Sequence, residues 1–275
     1  VMRVLYVVYW LLFVAKGGLH LRYIPDWLIF HMVYALYTLL HGQASGFYPY
    51  PFVDVTKLGL DHVLRDMARF VVFFALVSAA YVLVEYASGQ VLAEHNADMR
   101  MAPASLTKLM TCYVVFHALK SGTLKLDEPV TISEHAWRAE GSRTFLKVGS
   151  QVPVDVLIKG MIVQSGNDAT IALAERVGGT ESAFVQLMNE YAKRLGMTGT
   201  HFDDSTGLPS PTHYTTAHDL ALLARALIRD YPQYYSLFSI REFVWNNIRQ
   251  RNRDGLLGRD VGVDGLKTGH TDAAG

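Results

Sequence analysis

Hydrophobic positions along the chain fall into two regimes that meet near residue 80. Before it, Val4 to Ala15, Trp27 to Leu40 and Phe70 to Val84 are apolar runs almost free of charge. Each is a little short of the ~20 residues that span a bilayer, but flanking Tyr, Trp and His extend them into the interface. No polar face accompanies them at helical period. They predict about three membrane helices, in preference to buried helices of a soluble core. The loop with Lys16 and Arg22 is slightly less basic than the one with Lys57, Arg65 and Arg69. That difference puts the second loop in the cytoplasm and everything after Val84 outside.

From Tyr81 the texture is that of a soluble α/β domain. Tyr81 to Tyr86 and Val91 to Glu94 flank the turn Ala87–Ser88–Gly89–Gln90 and predict a hairpin. The last residues of the third apolar run are therefore strand, with the helix ending near Ser78–Ala80. Pro103 opens a helix, where its missing N–H is harmless, and apolar positions continue from Leu106 to a stop near Gly122. Further helices are predicted from Val154 to Val163, from Asn167 to Gly178–Gly179, and from Glu181 to Leu195 with a stop at Gly196. Thr216, with Asp219 three residues on, caps another that runs through Ile228. Val263 to Thr271 reads as a late strand. A hairpin, a helical middle and a late strand give an α+β fold with an antiparallel sheet and a helical lobe.

Composition removes several function classes. Twenty-five basic residues balance twenty-five acidic ones, so net charge gives no reason to expect nucleic acid. Cys112 is the only cysteine, which excludes an internal disulfide and a four-cysteine zinc site. The eleven histidines are scattered, and His201, His213 and His218 read as structural residues, not ligands.

Three short motifs carry chemistry. Ser105–Leu106–Thr107–Lys108 puts a hydroxyl and an amine at i and i+3 in the first turn of a helix, on one face. A serine becomes a nucleophile beside a base, and a lysine serves once burial and a second cation lower its pKa. Ser165–Gly166–Asn167 lies at a helix-to-helix junction, where glycine lets the backbone turn and present a hydroxyl and an amide together. Lys267–Thr268–Gly269, on the late strand, offers a cation and a hydroxyl to a carboxylate, with glycine permitting close approach. Singly, these are a surface lysine near a capping serine, a helix cap, and a lysine-defended strand edge. Each occurs once, in the order S-x-x-K, S-x-N, K-T-G, and that set belongs to penicillin-binding proteins and class A β-lactamases.

The words around the motifs narrow the match. Pro103 to Thr111, Val163 to Ala169, Asp264 to Thr271, Met188–Asn189, Leu195–Gly196–Met197 and His213 to Ala217 closely resemble the low-molecular-mass penicillin-binding D-alanyl-D-alanine carboxypeptidases of bacteria. The resemblance covers residues 81–275. It implies a β-lactamase/transpeptidase-like α+β domain without a cofactor or metal, in which Ser105 attacks the carbonyl between the last two D-alanines of a peptidoglycan stem peptide. Lys108 would take its proton; Ser165 and Asn167 would assist proton transfer and hold the peptide. Lys267 and Thr268 would bind the terminal carboxylate beside Gly269, and the backbone N–H groups of Ser105 and His270 would form the oxyanion hole. β-Lactams would acylate Ser105. The cell location implied is the bacterial cytoplasmic membrane, with the catalytic domain facing the periplasm or exterior. A serine β-lactamase shares the motifs, but no Glu-x-x-Leu-Asn-like word follows Asn167. An inactive membrane-anchored remnant is the other alternative.

Residues 1–80 resemble a different family, bacterial multi-helix membrane proteins related to the androgen-induced-gene proteins, through Trp10 to Phe13, His31 to Leu40 and Gly46 to Val55. In the carboxypeptidase family two further strands follow Lys-Thr-Gly. Here the chain stops at Gly275, so the antiparallel sheet is expected to be incomplete, with low stability and little activity as the consequence.

Overall fold

The computed structural model describes residues 80–257 and 263–269, with Asp61 and Arg65 as two further helical positions. The chain divides into two units, Val1–Ala79 and Ala80–Gly275, and all three chemistry-bearing motifs lie in the second. The apolar runs before residue 80, and the family resemblance read from residues 1–80, lie outside the described residues. Among those described, no helix is long and apolar enough to cross a membrane.

The predicted hairpin forms as β1 (Tyr81–Val84) and β2 (Val91–His95), antiparallel, with Tyr81 opposite His95. The Glu85 carboxylate closes its turn, accepting from the N–H of Ala87 at 2.9 Å and of Ser88 at 2.6 Å. These bonds, together with one from the Ser88 hydroxyl, hold the Glu85 carboxyl down at about 2. Next comes a 3₁₀ turn (Ala104–Thr107) that runs directly into α1 (Lys108–Lys120). α1 is apolar over most of its surface, with His117 and Lys120 its exposed positions, and a helix of that kind belongs in an interior. Met110, Cys112, Val115 and Phe116 are wholly buried.

Short strands β3 (Pro129–Thr131) and β4 (Gln151–Pro153) pair antiparallel around α2 (Glu134–Trp137) and the loop after it. The helical lobe follows as α3 (Val154–Val163), α4 (Asn167–Gly178), α5 (Glu181–Arg194), α6 (Ala217–Asp230) and the short α7 (Pro232–Tyr235). These match the expected helices closely, α6 running two residues past Ile228. Small side chains on α4, Ala169, Ala172 and Ala174, are buried in the same core as α1. Thr216 caps α6 by accepting from the Asp219 N–H at 3.0 Å. The Asp219 carboxylate does not reach back to complete a capping box. It accepts instead from Gly199 N at 2.8 Å and Thr200 Oγ1 at 2.6 Å, tying the preceding loop to the helix start.

Two expectations need correction. Among the described residues the strands form not one incomplete antiparallel sheet but three separate two-stranded ones, the third being β5 (Glu242–Trp245) with β6 (Ile248–Arg251). The expected late strand does not form over residues 263–269, because no described strand offers its backbone a ladder of hydrogen bonds. Side chains hold that segment instead. Tyr235 donates to Asp264 Oδ1 at 2.8 Å, and Ser239 Oγ donates to the Asp264 carbonyl.

Candidate active site

Ser105 and Lys108 lie at the junction of the 3₁₀ turn and α1. Side chains at i and i+3 eclipse in a 3₁₀ turn, so this geometry aligns the pair more directly than the α-helical turn expected. Lys108 Nζ stands 3.1 Å from Ser105 Oγ and donates to the Thr206 carbonyl at 2.7 Å. Lys108 is 1% exposed. Burial above all, then the positive charge of Lys267 and of Arg253, hold its pKa well below the usual lysine value, with Asp204 pulling the other way. The deprotonated form that burial favours, anchored by donating to the Thr206 carbonyl, would have a lone pair for the serine proton.

The second motif is built as the turn between α3 and α4. Ser165 has φ +62°, a conformation uncommon outside glycine and of the strained kind that gathers at active sites. Its hydroxyl is buried and, among the described residues, has no hydrogen-bond partner. Gly166 allows the close approach of Thr144, whose Oγ1 would lie 2.1 Å from a Cβ placed there. Asn167 donates from its backbone N–H to Ser142 O at 2.7 Å and from Nδ2 to Glu140 O at 2.6 Å. Much of its amide therefore serves the 140–142 loop, leaving its second N–H and Oδ1 for other partners. Asp168 supports the same loop through bonds from Thr144 N at 2.7 Å and Leu146 N at 3.1 Å.

The third motif reaches the first. A Cβ on Gly269 would lie 3.1 Å from Pro103 O and 3.3 Å from Leu106 N, so the K-T-G backbone lies against the nucleophile's turn. Lys267 is half-buried and donates to Thr268 O at 2.9 Å. Its pKa is lowered to about 8, by burial first and with Arg253 adding to the effect. Lys108, the more deeply buried of the two, is pushed the same way, and unlike surroundings of this kind separate the roles of two like groups. Thr268 and Gly269 are exposed. His270 lies outside the described residues.

Two residues that sequence reasoning missed belong here. Arg253 donates from its N–H to Val163 O at 3.3 Å, two residues before Ser165, and its charge acts on both Lys108 and Lys267. Thr206 holds the Lys108 amine through a backbone carbonyl, for which no residue type gives a signal. The single cysteine, Cys112, is buried in α1, and burial pushes its thiol up to about 12. Among the described residues no cluster of His, Cys, Asp and Glu could hold a metal ion. His201 and His213 make hydrogen bonds to Thr212 O and Thr107 Oγ1.

A serine with a buried lysine partner, a strained serine turn and a cationic K-T-G segment, on an α+β fold, define the penicillin-binding and β-lactamase-like class of serine acyltransferring enzymes. The chain belongs to the D-alanyl-D-alanine carboxypeptidase family of peptidases, which matches residues 70–275, beginning earlier than the Tyr81 boundary expected from the motifs. It is 50% identical over 203 residues to the D-alanyl-D-alanine carboxypeptidase DacA of Escherichia coli (strain K12), covering 71% of this chain and 50% of that protein. The chain thus spans about half the length of the curated relatives it matches. The crystal structure of the carboxypeptidase DacD from Francisella tularensis superposes with a TM-score of 0.70 at 40% identity, over 71% of this chain and 60% of that one. Penicillin-binding protein D2 from Listeria monocytogenes, in its ampicillin-bound form, matches with a TM-score of 0.65 at 33% identity, over 72% of this chain and 81% of that one.

Proposed function

We propose that this protein is a serine-type D-alanyl-D-alanine carboxypeptidase that removes the terminal D-alanine of peptidoglycan stem peptides and is acylated by β-lactams. The observation that carries the reading is the buried, charge-lowered Lys108 amine 3.1 Å from the Ser105 hydroxyl. Lys108 Nζ takes the proton as Ser105 Oγ attacks the carbonyl of the penultimate residue, forming the tetrahedral intermediate. Lys267 and Thr268 hold the terminal carboxylate, and the N–H groups of Ser105 and His270 stabilise the oxyanion. Ser165 Oγ hands its proton to the departing amine of D-alanine and receives in exchange the one Lys108 took from Ser105, with Asn167 steadying the peptide. Water then attacks the acyl-enzyme and the same groups run in reverse. The ampicillin-bound relative supports the β-lactam part of the reading. Peptidoglycan lies outside the cytoplasmic membrane, and the reading carries that location for the catalytic domain.

Incubation with a fluorescent penicillin, followed by denaturing electrophoresis, tests the acyl-enzyme. Label on the wild-type chain and none on Ser105→Ala is expected, together with D-alanine release from a pentapeptide ending in D-Ala-D-Ala. Label that persists in Ser105→Ala overturns the assignment of the nucleophile.

A further inference from the structure

A lysine on a flexible four-carbon stem is a poor base unless something fixes its nitrogen. Here the Thr206 carbonyl does so, and the side chains behind that carbonyl form a closed ring. Asp204 Oδ1 accepts from Thr206 N at 2.6 Å, Thr206 Oγ1 at 2.8 Å and Gly207 N at 2.6 Å, folding the loop so that the Thr206 carbonyl faces Lys108. Its other oxygen, Oδ2, faces Nδ1 of the buried His213 at 3.4 Å, and the Asp203 N–H meets the same nitrogen at 3.3 Å. His213 Nε2 lies 2.9 Å from Thr107 Oγ1, on the residue next to Lys108. One turn further along α1, Thr111 Oγ1 donates to Ser205 O at 2.7 Å and seats the same loop a second time. Burial works against the Asp204 charge, yet hydrogen bonds from His213, Gly207 and Thr206 hold its carboxyl down at about 2.

We propose, on the reading that Lys108 is the base, that the Asp204–His213 couple is a positioning unit that sets both the posture and the basicity of the Lys108 amine. The charged and titratable groups acting on Lys108 are Lys267, Arg253, Asp204 and Cys112. Lys267 and Arg253 both drive the amine towards neutrality. Asp204 is the anion that opposes them, and a base works best when its pKa stays near the working pH. Asp204 supplies the counter-charge. His213 stands between that carboxylate and the turn bearing Ser105, tied to the 203–204 segment on one side and to Thr107 on the other.

The test follows the Lys108 titration directly, by ¹³C NMR of protein labelled at lysine Cε, the Lys108 signal being assigned by its loss in Lys108→Arg. Asp204→Asn removes the anion, and the Lys108 midpoint is expected to fall by about half a unit or more. Asp204→Ser keeps a capping hydroxyl without charge and gives the same shift should the asparagine variant fail to fold. A midpoint unmoved in a folded variant overturns the proposal. His213→Gln leaves the carboxylate in place but frees it, and is expected to slow fluorescent-penicillin labelling of Ser105 about tenfold, by the same factor at every pH. Labelling at the wild-type rate would also overturn it. Failure of the wild-type chain to label at Ser105 speaks against the enzymatic reading alone, since the NMR midpoint is measured without turnover.

Discussion

Gly207 lies so close to Ala104 that a Cβ on the glycine would sit 1.8 Å from the alanine's carbonyl oxygen. The contact joins the loop that holds Lys108 to the turn that carries Ser105. Gly207 also has φ +91°, which a side chain resists independently of the crowding. Gly207→Ala therefore meets two penalties together, and neither can be relieved by rotating a flexible side chain.

Gly207→Ala is expected to lower stability by about 2 kcal/mol or more, from backbone strain plus the clash. Displacing Gly207 also draws the Thr206 carbonyl away from Lys108 Nζ. Urea unfolding reads the first effect and the rate of fluorescent-penicillin labelling the second. A variant as stable and as reactive as wild type would mean that the loop does not pack as described.

The motifs were legible in the sequence because their chemistry demands fixed residue types in fixed order, and the structure brings Lys108 to Ser105 and the Gly269 backbone against the same turn. Helices α3 and α4 were legible for a different reason, since Gly166 and Gly179 punctuate apolar runs of the right length. The β5–β6 hairpin was missed although its signal was present. Asn246 and Asn247 take φ values of +49° and +60°, the turn conformation that consecutive asparagines favour between two strands. Arg253 was not legible because its role depends on where that hairpin delivers it. The late strand was misjudged because extended backbone needs a neighbour, which composition cannot supply.

The lowered pKa of Lys108 makes stability depend on pH in a definite direction. Between its folded pKa and the ordinary value of 10.5, the unfolded chain binds a proton that the folded protein does not. Stability from this site therefore rises with pH across that window and levels off above 10.5. Lys108→Met removes the term. It also leaves the Thr206 carbonyl without its donor, a loss of about 1–3 kcal/mol, against the cost of giving up the Lys108 proton on folding, about 1.4 kcal/mol for each unit by which its pKa is lowered. The larger effect wins at neutral pH. Lys108→Met is expected to be the more stable protein at pH 7 by about 1 kcal/mol or more, with its advantage shrinking steadily as pH approaches 10. Urea melts at several pH values measure this, and a constant difference would show that Lys108 is not buried in neutral form.

Ser165 separates structural from chemical function by the sign of its effect. A buried hydroxyl with no partner is a liability to the fold, because its water bonds are lost and nothing replaces them. Alanine at the same position keeps the backbone in its φ +62° conformation at a similar penalty and removes the unpaired oxygen. Ser165→Ala is therefore expected to gain about 1 kcal/mol of stability, while D-alanine release falls by about 10²–10⁴-fold with the proton relay gone. Thermal unfolding and a D-alanine release assay on one preparation read both quantities. Lower stability with unchanged release would make Ser165 a residue of the scaffold, with a hydrogen bond still to be found. Higher stability with lost release is the signature of a group kept unsatisfied until substrate arrives.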